Sequence, residues 1–242
     1  MKSVNLLILL CSTLFFAQKD KKSIDSLYAI INNKDAFAKY GEEELLRLCT
    51  ELYYHSKESG NEPGQLNALT KMVRIYSEAD NQGEVLKRMP EALAMAEKLE
   101  DYGQKSALLN YEGRAFIKLG FYDRAKTIID DGLRTANKIP DSDTKYIWRS
   151  QLYGATARCI EDSSIDVAQH KQSLFYSVQK AYNEAKKIGI KNPERNRFLG
   201  ERARILGSIN IAFLQMKEGK QYLLSRSIIA ETIRSKTFGA FI

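Results

Sequence analysis

Apolar residues recur at three- and four-residue spacing along almost the whole chain, and strand-like alternation is nearly absent. A helix returns to the same face every 3.6 residues, so this spacing is the mark of amphipathic helices. Only four prolines interrupt it. The breaks are short and polar: Ser59–Gly64, Asp80–Gly83, Ile139–Asp143 and Lys191–Pro193. Helices of about 15–20 residues fit between them. The chain reads as all-α, built of antiparallel helix hairpins.

The stretch Tyr111–Ala125 narrows the choice. It reads as helix yet carries Gly113 and Gly120, and a mid-helix glycine costs roughly 0.5–1 kcal/mol relative to alanine. Some packing gain must offset that loss. Leu109, Gly113, Phe116, Gly120, Tyr122, Ala125, Ile129, Gly132 and Leu133 have the spacing of the tetratricopeptide repeat (TPR), a helix–turn–helix unit. Residues 106–138 therefore resemble one complete repeat. The resemblance implies that Gly113 is small because the second helix of its hairpin crosses close to it. It also implies that Gly120 lies just past the end of the first helix and that Phe116 fills the gap between the two.

The same template recurs with weaker matches. Leu69, Met72, Val73 and Tyr76 fit a first helix, with Val85, Met89, Ala92 and Leu93 on its partner. Tyr153, Gly154 and Ala157 mark another first helix, and Leu206, Gly207 and Asn210 a last one. The matched positions Val73, Gly113, Gly154 and Gly207 lie 40, 41 and 53 residues apart, longer than the family's period of about 34. The expected organisation is an irregular hairpin or cap over 18–63, then a TPR-like array over 64–242. Its units are placed at about 64–100, 106–138, 147–189 and 199–236. Such pairs stack into a right-handed α-solenoid superhelix whose concave surface is built mainly from the first helices. More narrowly, the layout resembles the exported sensory region of bacterial TPR-containing regulators, including an Asn192-Pro193-Glu194-Arg195-Asn196 segment. In those regulators a transmembrane helix and a helix-turn-helix DNA-binding domain follow. The chain ends instead at Phe238-Gly239-Ala240-Phe241-Ile242, which raises two expectations, a truncated regulator or self-association through that end.

The first 17 residues have the anatomy of a secretory signal peptide: Lys2, an apolar run from Val4 to Phe16, and Ala17 before a polar segment. The run is shorter than the roughly 20 residues that span a bilayer. Leu10 stands where a lipoprotein needs a small residue before Cys11. The mature chain is thus expected to be exported and periplasmic, touching the membrane only through this leader. Cys49 and Cys159 remain, both among apolar helical neighbours. With the lone histidines His55 and His170 they offer no metal-ligand spacing.

No phosphate loop, nucleophile elbow or His-Glu-x-x-His helix is present. Carboxylate runs such as Glu42-Glu43-Glu44 point in different directions around a helix and are not poised for acid–base work. The expectation is a non-enzyme with no cofactor and no metal. Net charge is +7, one unit of it from Lys2. The excess gathers at Lys186–Arg204, where seven basic residues face two acidic ones, and a solvated face is the plain reading of that segment. Nucleic acid is not expected as a partner of an exported chain.

A binding surface remains. The resemblance implies that ligand contacts project from the first helices: Asn110, Arg114 and Lys118 on one helix face, Arg74 (with Thr70 and Ser77) before it, and Gln151 and Arg158 after it. Such a row suits a protein segment or extended peptide, a C-terminal carboxylate or another anionic group. Trp148 and the many tyrosines are read as packing. Two functions are weighed: a non-catalytic protein- or peptide-binding module, and the sensory part of a signalling or transcriptional regulator.

Overall fold

A computed structural model describes residues 24–33, 35–163 and 170–212. The expected leader (1–17), the second half of the expected last unit (213–236) and residues 164–169 lie outside them. All regular structure among the described residues is helical: α1 (24–32), α2 (Ala36–Glu58), α3 (Glu62–Glu78), α4 (Gln82–Lys98), α5 (Tyr102–Lys118), α6 (Tyr122–Lys138), α7 (Asp143–Ser163), α8 (Lys171–Lys187) and α9 (Arg195–Ala212). The chain divides into two compact units, residues 1–104 and 105–242.

In the first unit, α1, α2 and α3 share a core of Ile24, Leu27, Ile31, Leu45, Leu48, Cys49, Leu52, Met72 and Ile75. α2 is two helical pieces joined at Gly41 (φ +73°, ψ 178°), a backbone conformation that favours glycine. Asn32 Nδ2 donates to Asn67 Oδ1 at 3.0 Å, tying α1 to α3.

From α3 to α6 the chain keeps a strict metre. Each helix is 17 residues long. Each is preceded by a left-handed residue: Gly60 (φ +69°), Asp80 (+59°), Glu100 (+52°) and Gly120 (+79°). The next residue donates its N–H back five positions, from Asn61 to Ser56, Asn81 to Tyr76, Asp101 to Ala96 and Phe121 to Phe116, at 2.7–3.0 Å. This is the helix-ending turn in which a left-handed residue satisfies the orphan carbonyls. The residue that makes this bond also opens the next helix. Asn61, Asn81 and Asp101 accept from the N–H three residues on, capping α3, α4 and α5. Phe121 has no such side chain.

In the second unit glycines set how closely helices approach. A Cβ on Gly113 would lie 2.6 Å from Ile129 Cγ1, so α6 crosses α5 at that point. A Cβ on Gly132 would lie 2.6 Å from Leu152 Cδ2 and 3.3 Å from Leu109 Cβ, placing α7 beside the α5–α6 pair. Phe116 is buried, edge-on to Phe121, with the Arg124 guanidinium over its ring. Ala125 is fully buried and Tyr122 half-buried. Two further clusters join α7, α8 and α9: Ala157, Leu174, Val178 and Leu206 in one, and Ala185, Ile188, Phe198 and Leu199 in the other.

The second helices of this unit end differently from those before. α6 and α8 both stop at an extended isoleucine, Ile139 (ψ 133°) and Ile188 (ψ 132°), each buried. Asp143, at the start of α7, then accepts from Gly189 N at 2.7 Å and Asn192 Nδ2 at 2.8 Å. Those two bonds hold its carboxyl below the usual carboxylate range. Arg195 Nε donates to Ile188 O at 2.9 Å, and Asn192 Oδ1 accepts from Glu194 N. The Asn192–Asn196 segment is thus a local clamp between α8 and α9.

Candidate functional site

Contacts order the first helices of the second unit as α5, α7 and α9. Asn110 on α5 donates to Gln151 Oε1 on α7 at 3.4 Å, and Tyr111 meets Trp148 edge-on with centroids 6.3 Å apart. Arg202 on α9 donates from Nε to Ser150 Oγ at 3.4 Å and lies against Gly154 of α7. Trp148 is therefore a packing residue between successive hairpins.

The residues singled out from the sequence differ in role. Arg114 and Lys118 stand exposed on α5, and Gln151 is half-buried on α7. Arg114 has no carboxylate partner among the described residues. Arg158 is exposed and pairs with Asp162 (2.6 Å) one turn on, an arrangement worth only a few tenths of a kcal/mol on a surface. Arg74 belongs to the first unit, where it pairs with Glu78 at 2.8 Å on α3. Asn110 does not project into solvent. It is 1% exposed, because α7 packs over it, and its Oδ1 has no hydrogen-bond partner among the described residues. It is an interior amide beneath Gln151. Gly207 is buried on α9.

The basic run Lys186–Arg204 is not one patch. Lys187 pairs with Glu184 and lies over Tyr146, Lys186 lies over Tyr182, and Arg197 pairs with Glu194. Lys191 and Arg204 are exposed without a partner among the described residues. Arg202 is 7% exposed. Burial pushes its pKa down, Glu201 opposes this, and Arg114 and Arg197 push it down further. The sequence reading missed this residue as a site candidate.

Other chemistry is sparse. Cys49 and Cys159 are free, buried thiols. Burial raises the Cys49 thiol to about 12, so it is not a nucleophile at neutral pH. Among the described residues no cluster of His, Cys, Asp and Glu could hold a metal ion, and no helix is long and apolar enough to cross a membrane.

No family model matches the chain, and no curated protein matches it in sequence. Solved structures do match in shape. The crystal structure of BtubC from P. vanneervenii superposes with a TM-score of 0.63 at 10% identity, covering 90% of this chain and 91% of that one. A putative kinesin light chain from Podosopora anserina, with nearly identical TPR-like repeats, superposes at 0.55 and 13% identity over 87% and 96% of the two chains. A variant of it gives 0.57 at 15% identity over the same shares. The fold is TPR-like. At such low identity the likeness carries the architecture of stacked helix hairpins and nothing of any ligand.

Proposed function

We propose that this chain is a non-catalytic protein- or peptide-binding module, exported to the cell envelope, that holds a partner segment along the first helices of its hairpins. A TPR-like fold presents stacked helical faces to a partner. The observation that carries the reading is on α5 and α7. Arg114 is exposed with no carboxylate partner among the described residues, Lys118 stands one turn on, and Gln151 is held at the neighbouring position by a buried amide. Guanidinium and amide groups in such a row suit the carboxylates and backbone amides of an extended peptide. Arg158 joins the row once a ligand carboxylate competes with Asp162. Arg74 offers the same chemistry on the first unit.

The test is selection of random heptapeptides on the full mature chain, followed by calorimetric titration of those enriched. Charge reversal at Arg114→Glu with Lys118→Glu is expected to weaken binding at least tenfold while the helical circular dichroism stays the same. Unchanged affinity in that variant overturns the assignment. Export predicts that the protein recovered from the envelope fraction begins at Gln18. A chain retaining Met1 inside the cell contradicts it.

A further inference from the structure

Arg202 carries its charge in a setting that a structural role does not explain. The side chain is buried, yet the guanidinium meets two polar groups among the described residues, Ser150 Oγ and Glu201 Oε1, both at 3.4 Å. Glu201 is its sequence neighbour and is 44% exposed, so the contact lacks the short bidentate geometry that makes an arginine–carboxylate pair strong. A Cβ on Gly154 would lie 2.8 Å from Nη1 and 2.9 Å from Cζ. Glycine at that place leaves room for the guanidinium. Arg114 and Arg197 are close enough to repel it. A buried charge without a tight partner is costly.

A cavity of about 280 Å³ opens beside it between α7, α8 and α9. Arg158, Arg202 and Arg204 line it with one acidic residue, Glu161, and the half-buried Ile205 and Ile209 form its apolar wall over the buried Leu174 and Val178. Ligand pockets run from roughly 300 to 1,000 Å³, so this one suits one or two side chains of a longer segment.

We propose that this cavity is the anchor site for a peptide in which a carboxylate flanks an aliphatic side chain, the carboxylate meeting Arg202 and the aliphatic group meeting Ile205 and Ile209. The proposal rests on the peptide-binding reading above and names the chemistry of its strongest contact. Charge complementarity selects the carboxylate. The half-buried Ile205 and Ile209 select the aliphatic neighbour over an inorganic anion, which would leave them uncovered.

The test uses the same heptapeptide selection on the full mature chain. Enriched peptides are expected to carry an acidic residue, or the free C-terminus, next to Leu, Ile or Val. Replacing that Asp or Glu by its amide, or amidating that terminus, is expected to weaken binding at least tenfold, and these two arms identify which carboxylate is used. Arg202→Met should abolish binding without lowering the melting temperature, because methionine keeps the packing and removes the unpaired charge. Gly154→Leu, which fills the guanidinium's space and keeps the arginine, should also abolish it. Binding that survives amidation, or survives in both variants, overturns the anchor. If such binding still needs Arg114 and Lys118, the functional reading stands and only the anchor falls. If no peptide is enriched, both fall. Decanoate binding as tightly as the best peptide identifies an amphiphile as the occupant and overturns the peptide assignment.

Discussion

Helix α7 meets a buried charge on each of its two sides, and the two are handled differently. Toward α8, Arg149 Nη2 reaches Glu184 Oε1 at 3.1 Å, Lys187 Nζ reaches the same oxygen at 3.1 Å, and Asn137 accepts from Arg149 Nη1. Glu184 is 3% exposed, and two cations meet it. Toward α9, Arg202 is also buried, but its carboxylate sits beside it in sequence, exposed, at 3.4 Å. In the first cluster opposite charges meet at 3.1 Å, although Glu184 Oε2 and Arg149 Nε find no hydrogen-bond partner among the described residues. The other is a charge with a cavity beside it and other cations nearby. The difference teaches that burial alone does not mark a site. What marks it is a buried charge without a close, buried opposite charge and with room beside it for a partner.

Breaking the first cluster should have the largest effect. Glu184→Ala leaves the partly buried Arg149 without its carboxylate, Lys187 being half-exposed, and is expected to lower stability by up to about 3 kcal/mol in urea denaturation. If the loss stays below about 1 kcal/mol, the network is not structural and the contrast weakens. Replacing the pair together, Arg149→Met with Glu184→Leu, is expected to recover most of that loss, because a well-packed apolar pair replaces a buried ion pair at little net cost. Arg202→Met should go the other way and raise stability by about 1 kcal/mol. A loss of that size would make Arg202 a packing residue like its counterpart. The smallest effect is expected from Gly154→Ala. The helix gains roughly 1 kcal/mol of propensity, and the flexible guanidinium gives way, so stability should stay within about 0.5 kcal/mol of the parent. Peptide affinity should fall more than stability does.

Much of the fold was legible because its signals are local. The three-and-four spacing marks helices, and the glycine–aromatic–glycine series around Gly113 and Gly120 marks a hairpin whose helices approach closely. The geometry at Gly113 supplies the reason, with Ile129 of α6 in the space a side chain would take. The turns were less readable. Gly60 and Gly120 announce left-handed backbone, but Asp80 and Glu100 adopt the same conformation without glycine, so the 20-residue metre shows only once the dihedrals are known. The caps at Asn61, Asn81 and Asp101 were the signal that could have revealed it.

The candidate site was legible in part. Periodicity gives the row on α5 and α7, yet it cannot tell a wet position from one that a neighbouring helix covers, and Asn110 is covered. Arg202 was counted as one member of a basic run. Its register held the clue. Leu199 and Leu206, three residues before it and four after, are both buried, which puts Arg202 on the inward face of α9.

The central claim is that partners dock on the first helices. The most direct measurement is site-specific photocrosslinking with the best selected peptide. A photoreactive residue replaces Lys118 on α5 in one protein and the exposed Thr127 on α6 in another. A crosslink is expected from position 118 and none from 127. A crosslink from 127 alone would place the partner on the second helices and contradict the claim.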